Sequence, residues 1–364
     1  FKSDFNFLRK LNQYLIHLEN TFFEARDLRV GKTVVPSPFV QERFKAYHRV
    51  PLLKRIPEVV SDVQQYVRDQ TGRKLSGRDK ATIWEVVPQM IRVNNILDIY
   101  KGFYTWIGRP ELFQMTGDNV LEYADVFPLI YCKIRMEGTP SYDHVKHLLI
   151  DEMQDYTAVQ YSVISRLFKC KKTILGDITQ VVNPYSGSSV EGIHQVFPNA
   201  DVIKLFRSYR STIQIVRFTQ RILANPELIP LERNGEEPSI LSYKTDEEEL
   251  TALVNLVGDF MRSGHRSMAI ITKTQQQAKL AFNQVRSLGA HLLTPDSTSF
   301  TDGVVVTTAH LAKGLEFDEV VVAFASSRNY KTELDRRMLY IACTRAMHRL
   351  SLTHTGELTT LIGG

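Results

Sequence analysis

Apolar residues recur at three- and four-residue spacing from the start of the chain, where Phe5, Leu8, Leu11, Leu15 and Leu18 would share one face of a helix. Pro36, Pro38, Pro51 and Pro57 interrupt the pattern, and further helices are expected over 58–69 and 80–104. Trp84, Tyr100, Phe103, Tyr104 and Trp106 enrich this stretch in aromatic rings, which suits a core better than a stacking platform. From Leu121 the texture changes. A strongly apolar helix is expected over 123–136, followed by Leu148-Leu149-Ile150, a run too short for a helix that stops at Asp151-Glu152. That is the pattern of a buried parallel strand. A helix over 158–167 and a strand over 172–175, ending in Gly176-Asp177-Ile178-Thr179-Gln180, complete a βαβ unit.

A second series begins beyond Pro198. Residues 200–205 read as a strand, and Ser211 is placed to cap a helix over 212–223. Strands over 239–243, 267–272, 304–308 and 320–324 alternate with helices over 247–261, 275–288 and 333–347, and a strand near 350–353 closes the set. The reading is therefore α/β. An all-α basic segment (1–120) is followed by the later part of one α/β domain (121–198) and a second α/β domain (199–364), with no repeat at solenoid periods and no low-complexity tract.

Composition narrows the class. With 364 residues, 43% apolar and 23% charged, the chain can bury two or three real cores, which argues against disorder. No apolar run approaches the roughly 20 residues of a membrane span, so no membrane partner is expected. The start, Phe1-Lys2-Ser3-Asp4, is neither a signal peptide nor an initiating Met, which suggests a portion of a longer protein. Cys132, Cys170 and Cys343 lie far apart without a Cys-x-x-Cys pair, so the expected compartment is a reducing cytoplasm. The net charge of +5 is uneven: residues 1–120 hold 19 Lys and Arg against 13 Asp and Glu, and the remainder 26 against 27. A nucleic-acid surface or another acidic partner would produce that asymmetry, as would a solvated basic face.

Candidate chemistry starts at the acidic pair. In a doubly wound sheet the ligand lies beyond the carboxyl ends of the strands, so Asp151 and Glu152 would face it. Asp151 can hold a hydrated Mg²⁺, and Glu152 can orient or deprotonate an attacking water. Gly31-Lys32-Thr33 copies the end of a phosphate-binding loop, but the Gly required five residues earlier is Arg26. Val34-Val35-Pro36-Ser37-Pro38 after it cannot open a helix, so the segment is rejected as that loop.

Five stretches then stand in order: Asp151-Glu152-Met153-Gln154-Asp155, Gly176 to Gln180, Ser208-Tyr209-Arg210-Ser211, Thr308-Ala309-His310-Leu311-Ala312-Lys313-Gly314-Leu315-Glu316-Phe317, and Leu339-Tyr340-Ile341-Ala342-Cys343-Thr344-Arg345-Ala346. Together they resemble motifs II to VI of the UvrD/Rep-type superfamily 1 helicases, from about Leu121 to the C-terminus. Asp125-Val126-Phe127-Pro128-Leu129-Ile130-Tyr131 and Val182-Asn183-Pro184-Tyr185 look most like the HelD-like members, which associate with RNA polymerase. The resemblance implies a RecA-like P-loop NTPase fold, with the first RecA-like domain incomplete and the second complete, and ATP with Mg²⁺ as cofactors. It implies Asp151 as metal ligand, Glu152 as water activator, Gln180 as γ-phosphate sensor, and Arg210 and Arg345 as the arginines that stabilise charge on the transferred phosphoryl group. Because both arginines fall on the second domain, hydrolysis would depend on closure and could drive stepping. By the same resemblance Tyr209 would stack on adenine, Glu316 would accept from the ribose and Gly314 would allow close backbone approach. Thr308, His310 and Lys313 would contact a nucleic-acid backbone, and Tyr185 could stack on a base.

Three departures from the family pattern qualify the expectation. The phosphate loop of motif I is absent from these residues, as are the early DNA-contacting motifs, so the chain alone is expected to be inactive, with the missing piece expected upstream of Phe1. The aromatic-Arg pair that usually follows motif III is replaced by Val181-Val182-Asn183-Pro184-Tyr185, which puts base-by-base strand separation in question. Ser208 stands where an Asn is usual, and the path from Arg221 to Ser239 is too short for a large insertion. The expected function is an ATP-dependent helicase or translocase acting on DNA, single-stranded by preference. A HelD-like factor that remodels or releases RNA polymerase, and a non-catalytic scaffold, are the rivals.

Overall fold

A computed structural model describes residues 2–93, 95–117, 120–140, 142–180, 189–297 and 302–363. The chain divides into two compact units, Phe1–Gly176 with Tyr185–Ala200, and Asp177–Pro184 with Asp201–Gly364. Among the described residues no helix is long and apolar enough to cross a membrane.

The first unit runs α1 (Phe5–Thr21), β1 (Leu28–Val30), β2 (Thr33–Val35), α2 (Ser37–Ala46), α3 (Arg55–Thr71), α4 (Gly77–Val86) and α5 (Ile96–Trp106). It continues through β3 (Met115–Gly117), β4 (Val120–Leu121), α6 (Tyr123–Glu137), β5 (His147–Ile150), α7 (Ala158–Leu167), β6 (Lys171–Ile174) and α8 (Val190–Val196). One core joins the helical segment to the βαβ part: Phe7, Leu11, Val59, Phe103 and Tyr104 are buried in the same cluster as Tyr131, Cys132 and Val159. β5 and β6 pair in parallel from His147 opposite Lys171 to Ile150 opposite Ile174, so both strands end at one edge.

The second unit comprises β7 (Arg207–Ser208), α9 (Ile213–Ile222), β8 (Ile229–Pro230), β9 (Ser239–Tyr243), α10 (Asp246–Ser263), β10 (Ser267–Thr272) and α11 (Gln275–Val285). β11 (His291–Leu292), β12 (Gly303–Thr308), α12 (Ala309–Ala312), β13 (Phe317–Val322), α13 (Glu333–Cys343) and β14 (Ala346–Thr355) complete it. Six strands form a sheet in the order β11-β12-β10-β13-β14-β9, and every neighbouring pair is parallel. Period-2 alternation sends side chains to opposite faces. Ala269, Ile271, Val320 and Val322 pack with α9 and α13 residues, and Met268, Ile270 and Val321 with α10 and α11 residues. A sheet covered on both faces needs apolar residues at consecutive positions, which is why β10 is buried along its whole length.

Several expectations need correction. The 1–120 segment is not all-α: β1 and β2 form a hairpin turning at Gly31 and Lys32, where the positive φ of Gly31 (61°) suits a two-residue turn. The Gly-Lys-Thr sequence is thus a hairpin tip. The helix expected over 80–104 is two helices, α4 and α5, separated by a 3-10 turn at Pro88–Met90, since a proline has no N–H to continue the ladder. Tyr100, Phe103 and Tyr104 are core residues, but Trp84 and Trp106 are exposed. Residues 200–205, expected as a strand, form none: no described strand pairs with them, and Ile203 and Leu205 lie exposed. Thr212, not Ser211, holds the N-cap position of α9, without a side-chain capping hydrogen bond, and the Ser211 hydroxyl donates to the Ala346 carbonyl at 2.5 Å. α13 stops at Cys343, leaving Arg345 in the turn before β14.

Candidate active site

The acidic pair sits where β5 leaves the sheet. Ile150 is buried, Asp151 is exposed, and Glu152 takes a left-handed conformation (φ 52°, ψ 51°) that costs a residue with a side chain about 1–2 kcal/mol. The bend opens a 3-10 turn over Met153–Asp155 and is fixed from several sides. The Glu152 N–H donates to Asp151 Oδ1 at 2.8 Å, Gln154 Nε2 donates to Glu152 Oε2 at 2.5 Å, and the Tyr161 hydroxyl donates to the Met153 carbonyl at 2.8 Å. Beyond the strands the ladder continues, with Leu175 N donating to Ile150 O and Met153 N to Leu175 O, both at 2.8 Å. Gly176 lies so close that a Cβ there would come within 2.5 Å of both Met153 N and Gln154 Oε1. Gln154 is fully buried. Sequence reasoning misses both residues: the one available signal is that Gln154 stands two residues from Glu152, and the approach of Gly176 to Met153 has none.

In the second unit, Gln180 is gripped at both ends of its amide. Its Nε2 donates to Asp177 Oδ2 at 2.9 Å, and its Oε1 accepts from Arg345 Nη2 at 2.8 Å. Asp177 is itself held by Thr179, whose N–H and hydroxyl donate to Oδ1 at 2.8 and 2.6 Å. Arg345 is 1% exposed. Its Nε donates to Ile341 O at 3.2 Å, Nη1 to Leu315 O at 3.3 Å, and Nη2 also to Thr344 Oγ1 at 3.2 Å, so the guanidinium plane is pre-set. Burial pushes the neighbouring Tyr340 hydroxyl upward, with hydrogen bonding to Thr179 opposing it.

Arg210 forms an ion pair with Glu316, both side chains partly exposed, and the preceding Tyr209 ring is 64% exposed. Gly314 has a φ of 80°, a left-handed turn that follows α12 and returns the chain to β13. Thr308 ends β12 and is buried, His310 is exposed on α12, and Lys313 is half-buried just after it. Tyr185, with Val182 to Pro184, lies outside the described residues. The structure therefore joins Gln180 to Arg345 and Arg210 to Glu316 in one unit and carries Asp151 and Glu152 in the other. Among the described residues no three His, Cys, Asp or Glu side chains converge as a metal cage. Mg²⁺ needs no such cage, because one or two carboxylates with waters and phosphate oxygens suffice, and the exposed Asp151 carboxylate fits that requirement.

Comparison with known proteins bears on these same segments. Residues 138–200 match the UvrD/REP helicase N-terminal domain, and residues 303–353 match the UvrD-like helicase C-terminal domain. The chain carries UvrD/Rep-type helicase domains. Among relatives, it is 21% identical over 295 residues to the ATP-dependent DNA helicase Rep of Buchnera aphidicola, covering 75% of this chain and 43% of that protein. It is 33% identical over 126 residues to the ATP-dependent DNA helicase UvrD2 of Mycobacterium tuberculosis, covering 31% and 18%. The crystal structure of the C-terminal domain of a possible DNA helicase from Lactobacillus plantarum is 34% identical, with 43% of this chain and 92% of that chain covered and a TM-score of 0.36. The chain spans less than half the length of the curated relatives named. The N-terminal helicase match encloses Asp151, Glu152 and Gln180, the C-terminal match encloses Thr308 to Glu316 and Arg345, and Tyr209 and Arg210 fall outside both.

Proposed function

We propose that this chain is the motif II to VI portion of a superfamily 1 ATP-dependent DNA helicase or translocase. The observation that carries the reading is the order and content of the two helicase matches: the acidic pair and Gln180 in the first, Arg345 in the second, with Gln180 and Arg345 hydrogen-bonded. Bound Mg²⁺ supplies charge neutralisation at the phosphates, and Asp151 is the carboxylate that would hold it. Glu152, anchored by Gln154, takes the proton of the attacking water. Arg345 and Arg210 meet the negative charge that grows on the transferred group. For Arg210 this requires leaving Glu316, the residue assigned to the ribose, so nucleotide would replace their ion pair. Tyr209 offers an open ring face to adenine. His310 and Lys313, with Thr308 at the strand end beside them, face the phosphodiester backbone in this reading. The cytoplasm is the compartment that suits free cysteines and a DNA substrate.

In the protein carrying this chain, Glu152→Gln should lower ATP turnover by at least a hundredfold while nucleotide affinity stays within about threefold, because only the base is removed. Near-normal turnover would sink the assignment. A HelD-like factor acting on RNA polymerase is the second reading, supported by the stretch from Asp125 to Tyr131, which lies within α6, and by the basic excess of residues 1–120. Affinity capture that recovers RNA polymerase but no DNA would favour it.

A further inference from the structure

A cavity of about 250 Å³ opens in the first unit between α1, the α2–α3 loop, α6 and α7. Leu15 and Met136, both buried, give it an apolar floor. Its polar lining is rich in arginine: Arg49, Arg55, Arg135 and Arg166, with His48 beside them, against the single carboxylate of Glu19. That carboxylate is taken by Arg55, which is 4% exposed. Arg55 also donates from Nε to Val50 O at 2.9 Å and from Nη2 to His48 O at 3.1 Å, and so braces the rim loop.

The other arginines are positioned by neutral groups. Arg135 Nη1 donates to Asn12 Oδ1 at 3.2 Å. Arg166 Nη2 donates to the Tyr131 hydroxyl at 3.2 Å, and its guanidinium lies 5.1 Å from the Tyr131 ring centroid. The Tyr131 hydroxyl in turn donates to Asn12 Oδ1 at 2.6 Å, which ties the two arginines into one network. Among the described residues neither Arg135 nor Arg166 has a carboxylate partner, and Arg49 at the exposed rim has none either. Half-buried guanidiniums oriented by neutral acceptors toward an open cavity form a fork array suited to a tetrahedral dianion or a phosphodiester.

We infer that this pocket is a second anion site, binding a backbone phosphate of a nucleic-acid strand through Arg135, Arg166 and Arg49. The anion chemistry stands on the cavity itself, and the choice of a strand as its source rests on the helicase reading. The site shares no residue with the ATP-handling set, and it brings Arg49 of the basic N-terminal segment together with Arg135 and Arg166 from beyond it.

The test is anisotropy of a fluorescent single-stranded oligonucleotide titrated with the 364-residue chain between roughly 50 and 200 mM salt. The double variant Arg135→Gln/Arg166→Gln should bind about tenfold more weakly at the low end, with a salt slope shallower by about 0.7 to 1.4. Arg49→Gln, on the surface, should weaken binding about threefold, and it keeps the question answerable if the double variant loses its circular dichroism signal. Wild-type affinity and slope in the folded variants overturn the pocket while leaving the helicase reading intact. Binding of pyrophosphate without the oligonucleotide overturns the strand as ligand. Equal displacement of the oligonucleotide by polyglutamate overturns the phosphate assignment in favour of an acidic protein surface.

Discussion

Glu152 holds a backbone conformation that its side chain disfavours, and the residues that enforce it are Gln154, Tyr161 and Gly176. The strain aims a carboxylate beyond the strand end instead of along it, which is the usual reason such a residue survives in a site. Gly176 is the most sensitive point, because the atoms a methyl would strike include a backbone nitrogen, which cannot swing aside as a flexible side chain would. Gly176→Ala should cost about 1–3 kcal/mol of stability in denaturant unfolding and, in the protein carrying this chain, lower ATP turnover more than Gly72→Ala, a left-handed position with open space around it. Equal turnover in the two variants would show that the close approach has no catalytic consequence. The acidic pair itself was legible as residue types. The need for glycine at 176 was not, since it arises from contact between segments more than 20 residues apart, and the anchoring role of Gln154, two residues from Glu152, depends on the left-handed turn at Glu152.

At the scale of elements, α13 shows how a helix end is wired into the sheet. Thr332 and Asp335 form a reciprocal capping box, and Asp335 also accepts from Lys331 N at 2.8 Å and pairs with Lys273 Nζ at 2.6 Å. Burial works against ionisation of Asp335, but Lys273 and the Lys331 and Thr332 N–H groups outweigh it and hold the carboxyl at about 2. A carboxyl depressed in the folded state contributes stability above its unfolded value, and that contribution disappears as pH falls from about 4 toward 2. The side chain is almost wholly buried, so screening is small and the contribution is about 2 kcal/mol at neutral pH. Asp335→Asn should therefore lower unfolding free energy by about that amount at pH 7, and the difference from wild type should shrink in acid. A difference independent of pH would remove the ion-pair explanation. Strands with continuous apolar character, such as β10, were readable to the residue. Residues 200–205, where Val202, Ile203 and Leu205 stand among Asp201 and Lys204, form no strand, because a strand is completed by a neighbour and periodicity cannot supply one.

Across the whole molecule, no stretch of the 364 residues has the Gly-x-x-x-x-Gly-Lys-Ser/Thr pattern, and the Gly-Lys-Thr tip at residues 31–33 belongs to a hairpin. The chain by itself is expected to show negligible Mg²⁺-dependent ATP hydrolysis in a phosphate-release assay; robust turnover would overturn the division of labour proposed for its residues. The sequence alone determined the α/β class and the helicase resemblance and put forward Asp151, Glu152, Gln180, Arg210 and Arg345 as candidates, because these depend on periodicity and residue type along short stretches. Tertiary structure decided which of them meet. Arg345 reaches Gln180 across 165 positions, and Arg135 and Arg166 converge with Arg49 on one cavity. Contacts of that range depend on how buried apolar faces pack, and a local pattern of hydrophobic and polar residues leaves that packing open.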